Sequence, residues 1–405
     1  MKTRVFVCIA ALLTLALFVA GCVDDTPVLP PDARGEVGIM YTAAGQMPIL
    51  LQTGQIDGYI IWQPFVSIAE KGGFGTIVSY SQDIPPENTW TDHTCCALSA
   101  RQDFMKANPD IVSAISAIII LSGEYIRENP DRAADITAYW LFGGGDMTYG
   151  DVTLDSKDLL RDVIPTIRYT TEPSEAWLNS NLRFVEALRE IDYLTGILED
   201  IPPEEVKAEL FDFSHYEAAR AMIDTGEITT PAKLTKHMSL GYLPSAHNTP
   251  LFVAIKEWEY FDEEYGIALK PRRDIPGKVD VADLIINGVA VAEVRLVEGE
   301  GGAQLMTLMA ADAIQMAYAG TPPTISSIDR GTPIKILHPT QTEGSGFVVA
   351  KGAPVTDWDS FIDWVESRTA EGRPVKIAAP IRGSIQDVQI KFALHDSGVV
   401  VKEVR

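Results

Sequence analysis

Gln52-Thr53-Gly54-Gln55-Ile56-Asp57-Gly58-Tyr59-Ile60-Ile61-Trp62-Gln63-Pro64 is the stretch that decides the fold. Gly54 closes an apolar turn of helix made by Ile49, Leu50 and Leu51, and Tyr59-Ile60-Ile61-Trp62 is continuously apolar, as a strand buried on both faces should be. Pro64 then stops it. An aromatic, an amide and a proline at the carboxyl end of a parallel strand stand where open α/β sheets place small ligands. Trp62 and Gln63 are therefore expected to face a ligand.

Upstream, Lys2 and Arg4 precede an apolar run from Val5 to Ala20. The run is shorter than the roughly 20 residues a spanning helix needs, and Val19-Ala20-Gly21-Cys22 supplies the small residues a lipoprotein peptidase requires before a Cys that takes a lipid. Residues 1–22 thus read as a lipoprotein signal peptide with Cys22 lipidated, the alternative being an uncleaved anchor helix. On either reading the body of the protein is expected outside the cytoplasm, lipid-anchored at the membrane on the periplasmic or cell-surface side. Residues 23–35, with Pro27, Pro30 and Pro31, make a short extended tether.

The remaining length suits one large two-lobed unit or two domains. An apolar fraction of 46% excludes disorder, and no later segment reads as long and apolar enough to span a membrane. With 56 acidic against 33 basic residues the net charge is −23. No basic stripe offsets that charge, which argues against a nucleic-acid partner. Cys8 leaves with the signal and Cys22 is the lipid site, so only Cys95-Cys96 remain in the body and there is no disulfide framework. Neighbours on a strand point to opposite faces, so this pair reads as two small buried side chains. A zinc site with His93 is the weaker alternative, since no second ligand pair sits at finger spacing. No metal and no cofactor are expected.

From Gln102 the chain turns helical. Asn108-Pro109 and Asn129-Pro130 each put a capping Asn before a proline at the first helical position, and Gly143-Gly144-Gly145 ends the second helix. Further helices are expected over Glu175 to Glu190, Pro203 to Leu210 and Tyr216 to Ile223, with Thr229 to Lys236 as a linker. Beyond it the pattern is α/β. Strand Ser239 to Pro244 runs into Ser245-Ala246-His247-Asn248 and a helix from Pro250 to Tyr260; Asn287-Gly288 marks a hairpin. Gly301-Gly302 opens a helix through Gln304, and a strand from Ala313 to Tyr318 ends in Ala319-Gly320-Thr321-Pro322-Pro323, where Thr321 reads as a cap. Strand Val375 to Pro380 delivers Arg382-Gly383-Ser384-Ile385-Gln386-Asp387, in which Ser384 and Asp387 have capping-box spacing. A helix start with Arg382, Gly383 and a hydroxyl beside it is a natural anion seat.

These segments together resemble the periplasmic solute-binding proteins of the nitrate, taurine and alkanesulfonate ABC importer family. The resemblance rests on the strand and loop Gly241 to His247, the Gly-Gly-Ala-Gln helix start Gly301 to Gln304, the turn Ala319 to Pro323, the helix start Gly383-Ser384 and the strand Ile56 to Pro64. It covers nearly all of the chain after the signal peptide. The order departs from the family: segments 238–405 come first there and 36–225 second, so the chain looks circularly permuted, with its two ends neighbours in space. Asp312-Ala313-Ile314-Gln315 also replaces the usual Gly-Asp-Ile-Asp.

The resemblance implies an α/β, two-lobed periplasmic-binding-protein-like fold (type II), permuted, with hinge strands at Gly346 to Lys351 and Thr94 to Ala100. Residues 238–345 with the helical return segment 101–228 would form one lobe, joined by the linker 229–237, and 346–405 with 36–100 the other. Tyr242, Ser245, His247, Gln304, Thr321, Ser345, Arg382, Ser384, Gln386 and Trp62 would face the solute. For Arg382 the alternative is a surface ion pair, for His247 a cap on the Asn248 turn, and for Tyr242 and Trp62 a core role. The implied function is capture of a small anion such as a sulfonate or nitrate, closure of the lobes, and delivery to an ABC permease and its ATPase, with no bond in the solute broken. The competing reading is a binding protein or enzyme of the related thiamine-pyrimidine precursor branch, whose enzymes carry a Cys-rich strand where this chain has Thr94-Cys95-Cys96-Ala97.

Overall fold

The computed structural model describes residue 30 and residues 32–404. The signal peptide and Cys22 lie outside the described residues, as does most of the tether. Three strands open the chain: β1 (Gly35–Tyr41), β2 (Gly58–Trp62) and β3 (Gly75–Tyr80). There follow β4 (Thr94–Arg101), the hairpin strands β5 (Asp146–Tyr149) and β6 (Val152–Asp155), and the short β7 (Ile167–Arg168). After the helical return come β8 (Met238–Tyr242), β9 (Ile267–Pro271), β10 (Val281–Ile286), β11 (Val289–Glu298), β12 (Met316–Gly320) and β13 (Ile334–Glu343). The chain closes with β14 (Ser345–Ala350), β15 (Val375–Ala379) and β16 (Val399–Glu403).

These strands form two main sheets. One has six strands in the order β16-β1-β15-β2-β14-β3, the other eight in the order β7-β13-β4-β12-β8-β11-β10-β9. β2 sits inside the first, parallel to β15 and antiparallel to β14, and Tyr59, Ile60 and Ile61 are fully buried. The two-faced burial explains the unbroken apolar run. The ends of the described chain lie side by side, since β1 pairs in parallel with β16 from Gly35↔Val399 to Ile39↔Glu403.

The chain passes between the sheets twice, through residues 81–93 and at Gly344. Neither crossing falls where the hinge strands were expected. Gly346 to Ala350 are laddered within β14 of the six-stranded sheet, and Thr94–Arg101 is held on both sides by β12 and β13 of the eight-stranded sheet. A strand paired on both edges is poorly placed to flex. Residues 94–100 therefore belong with the eight-stranded sheet rather than with 36–93.

The helical return packs over the eight-stranded sheet. Helix Pro109–Glu128 buries Ile111, Ile115, Ile118 and Ile119 among helices Ser214–Thr225 and Thr249–Lys256, and each buried Ile stabilises by about 1.5–3 kcal/mol. By length and composition this helix could cross a membrane, contrary to the reading of the sequence, but most of it is buried inside the protein. Asn108 and Asn129 do precede prolines at helix starts, yet neither side chain caps the helix that follows. Their amides donate backwards, to the Phe104 carbonyl at 3.3 Å and the Tyr125 carbonyl at 3.2 Å. The helix expected from Pro250 to Tyr260 breaks at Glu257, whose carboxylate accepts from Tyr125 Oη and Arg132 Nε. The strand expected from Ala313 starts at Met316, because Gln315 donates back to Asp312 and holds a turn.

Candidate functional site

The parallel strands β1, β15 and β2 end at one wall of a cleft, and the segments after β8, β11 and β12 form the other. Its volume is about 440 Å³, within the roughly 300–1,000 Å³ of small-molecule sites. The first wall carries Tyr41, Trp62, Ile381, Ser384 and Gln386; the second carries Ser245, His247, Gly301, Gln304 and the cysteines that open β4. Among the described residues no Arg or Lys lines this space, and Glu300 does.

Six of the ten expected residues meet here: Trp62, Ser245, His247, Gln304, Ser384 and Gln386. Trp62 closes β2, and its Nε1 is buried with no partner, a donor that costs free energy until something accepts from it. Gln304 Oε1 accepts from the Glu300 N–H at 2.7 Å, and Gln386 Nε2 donates to Ser345 Oγ at 2.8 Å. Ser345 thus stands behind Gln386 and supports it.

Four expectations need correction. Tyr242 is core: its ring meets Trp140 and Phe252 edge-on with centroids 5.9 Å and 5.8 Å away, and its hydroxyl donates to Glu298 at 3.0 Å. Thr321 is the first residue of helix Thr321–Asp329, and its side chain caps nothing; its hydroxyl lies 3.1 Å from that of Thr94. Gln63 is fully buried and donates to Ser67 at 2.9 Å and Thr166 at 3.2 Å. Arg382 points out of the cleft, half-exposed, 3.5 Å from Glu403 and donating to the Ile191 carbonyl at 3.4 Å.

The expected anion seat is filled by the chain itself. Ser384 Oγ accepts from the Asp387 N–H at 3.2 Å, as the capping spacing requires, but the buried Asp387 carboxylate then accepts from the Gly383 N–H at 2.8 Å and from Tyr41 Oη at 3.0 Å, with Lys391 Nζ at 3.0 Å. Burial pushes the Asp387 carboxyl up, against the pull of Lys391 and these donors. Burial, aided by Asp387 and Glu403, pushes the Tyr41 hydroxyl well up, so it stays a donor.

Sequence reasoning missed Cys95 and Cys96 as cleft residues. The reason is a β-bulge. Thr342 faces Thr94 and Gln341 faces Cys96, which leaves Cys95 as the extra residue of β4. A bulge breaks the alternation of side chains and re-aims one of them, so the two Sγ atoms lie only 4.0 Å apart. His247 Nδ1 is 3.4 Å from Cys95 Sγ and 3.9 Å from Cys96 Sγ, while its Nε2 donates to the Gly344 carbonyl at 2.8 Å. Burial pushes the Cys95 thiol up, but the bond from Cys96 and the neighbouring His247 and His93 rings outweigh it and hold Cys95 well below the ordinary thiol range. Cys96, donating to Cys95 and buried, is pushed well up. His93 is turned away, bound to the Thr94 carbonyl and Ser81 Oγ, both at 2.8 Å.

Two α/β sheets, two chain crossings and a lined cleft at the ends of the parallel strands fit the architecture of a two-lobed solute-binding protein. The chain belongs to the NMT1-like family, matched over residues 21–141 and 232–404, within the nitrate/taurine/sulfonate-type periplasmic binding proteins. It is also similar to an uncharacterized protein of Methanocaldococcus jannaschii, 34% identical over 121 residues, which are 30% of this chain and 76% of that protein. No solved structure gives a significant match.

Proposed function

We propose that the chain is the solute-binding component of an ABC importer, anchored by lipid at Cys22 on the outer face of the cell membrane, and that its solute is a small flat polar ring of the pyrimidine type. Family membership supports the binding role. The lining of the cleft supports the choice of solute, and the carrying observation is Trp62: an aromatic side chain that lines the cleft at the end of a parallel strand, with no Arg or Lys beside it among the described residues. A heterocycle can stack on such a ring. An oxyanion would need compensation that Arg382 and the Ser384 helix start do not supply, since one faces Glu403 and the other already holds Asp387. On this reading the chain performs no chemistry. It closes on its solute by motion at residues 81–93 and Gly344 and presents it to the permease. The circular permutation expected from segment order is supported by the pairing of β1 with β16.

Calorimetric titration of the purified protein with pyrimidines tests the reading. Trp62→Ala removes the ring, and is expected to weaken pyrimidine binding by about tenfold, the worth of one aromatic stack. Unchanged affinity in that variant, or heat only with oxyanions, would refute it.

A further inference from the structure

We infer that Tyr193 is a latch between the two lobes: its ring, carried by residues 191–201, clamps the helix start that bears Ser384 and so sets how readily the cleft opens. The segment joins helix Glu175–Glu190 to helix Pro203–Leu210 without regular structure, yet it is tied firmly to the eight-stranded side. Asp329, buried at the end of helix Thr321–Asp329, collects it. The Asp329 carboxylate accepts from the N–H groups of Thr195 at 3.1 Å, Gly196 at 3.0 Å and Leu198 at 2.9 Å, and its carbonyl accepts from the Ile197 N–H at 3.0 Å. Hydrogen bonds to a carboxylate are roughly twice as strong as neutral ones. A Cβ at Gly196 would collide with the Asp329 carbonyl, so only glycine permits the approach, and Leu194 and Leu198 are buried in the core.

Tyr193 reaches the other lobe. Gly383, between β15 and the cleft residue Ser384, lies against its ring: a Cβ there would fall 2.8 Å from Tyr193 Cε1 and 3.0 Å from Cζ. With φ of +75°, Gly383 both makes the turn and presents bare backbone to the ring. From the eight-stranded side the Arg330 guanidinium stands 5.7 Å from the ring centroid, within the roughly 6 Å of a cation–π contact. The ring is thus held by a cation of one lobe and seated on the backbone of the other. Beside it Arg382 donates to the Ile191 carbonyl at 3.4 Å, a long and half-exposed bond that contributes little. Elsewhere across the lobes Lys71 meets Asp162 and Gln52 meets Asp151 in exposed pairs, which also contribute little. Gln63 reaches Thr166, but beside the Gly344 crossing, where the lobes separate least. The Asp329 bonds lie within one lobe and survive motion at residues 81–93 and Gly344, whereas the Tyr193 contact joins two lobes and must break. Tyr193 stands outside the lining of the cleft, so it acts as a positioning residue, through Gly383 and Ser384.

The inference rests on the lobe motion of the proposed binding role, so it is tested first without any solute. Small-angle X-ray scattering of the purified wild-type protein is expected to fit the described arrangement, in which Tyr193 touches both lobes. Tyr193→Ala lowers the closed-to-open ratio by about tenfold, the worth of an aromatic and cation–π seat, and raises the radius of gyration. Tyr193→Phe, which keeps the ring, and Arg382→Ala retain the wild-type radius. Gly383→Ala drives a methyl against the ring from the opposite lobe and is expected to expand the protein as Tyr193→Ala does, with the circular dichroism of a folded chain in both. An equal radius in wild type and folded Tyr193→Ala, or expansion in Tyr193→Phe as large as in Tyr193→Ala, would overturn the inference. With a pyrimidine bound, dissociation is expected to be about tenfold faster in Tyr193→Ala at unchanged association, and an unchanged dissociation rate would also overturn it. A wild-type protein that binds no pyrimidine, yet expands in Tyr193→Ala, supports the latch and contradicts only the reading of the solute.

Discussion

The two walls of the cleft carry similar numbers of polar groups and use them differently. On the wall built by the six-stranded sheet, the groups that looked ready for a ligand are engaged by the chain: Asp387 holds Gly383, Tyr41 and Lys391, and Gln386 holds Ser345. On the wall built by the eight-stranded sheet, His247 Nδ1 and two thiols face each other beside the cleft, opposite Trp62 of the first wall. The difference teaches that a helix start flanked by Arg and Ser is an anion site only if no carboxylate of its own arrives first. Asp387 and its donors on the first wall stabilise the fold, while Trp62 from that wall and His247 with the two thiols from the second line the cleft.

Asp387→Ala attacks that division most strongly. It strands Lys391, Tyr41 and the Gly383 N–H beside a buried gap, and should cost about 3–4 kcal/mol in denaturant unfolding. Asp387→Asn, which keeps an acceptor, should cost less. Equal stability of Asp387→Ala and wild type would erase the contrast between the walls.

His338 sharpens the comparison from beneath the second wall. It is fully buried on β13, its Nδ1 donates to the Pro339 carbonyl at 2.7 Å, and its Nε2 has no partner. Burial lowers its pKa to about 4, against about 6.5 in the unfolded chain. The unfolded state thus binds the proton first as pH falls. This contribution to stability is fully present above about pH 6.5 and is lost as pH falls through about 4, a change of about 3 kcal/mol. His338→Gln, which removes the titration, should flatten the stability profile over this window; an unchanged slope would count against it.

Gly344→Ala forces a side chain into positive φ and against His247. An expected cost of about 1–3 kcal/mol follows from the backbone alone, with the His247 ring displaced as well. Arg382→Ala is the smallest effect. A half-exposed pair at 3.5 Å contributes little, so stability should change by about 0.5 kcal/mol or less and solute binding not at all. Loss of binding in Arg382→Ala would restore the anion seat.

Much of the fold was legible because strands and helix ends leave local marks. The run Tyr59 to Trp62, the helix Glu175–Glu190 and the cap at Ser384 follow from apolar spacing and capping chemistry. The neighbouring ends of the chain came from segment order. Six of the ten expected residues, Trp62, Ser245, His247, Gln304, Ser384 and Gln386, line the cleft, at strand ends and helix starts. What was hidden depended on distant partners. Tyr242 was taken into the core by Trp140 and Phe252, and Arg382 was drawn outward by Glu403. Cys95 was re-aimed by a register shift against β13, which a period-two reading of one strand cannot contain.

Thermal unfolding of the purified protein against matched sets of pyrimidines and small oxyanions tests the central claim most directly. A ligand present at 100 times its dissociation constant adds about 2.7 kcal/mol and, in a chain of this size, should raise the midpoint by a few degrees. The account predicts a rise with a pyrimidine, no rise with sulfonates, nitrate or bicarbonate, and loss of the rise in Trp62→Ala. A rise with an oxyanion alone, retained in Trp62→Ala, would contradict it.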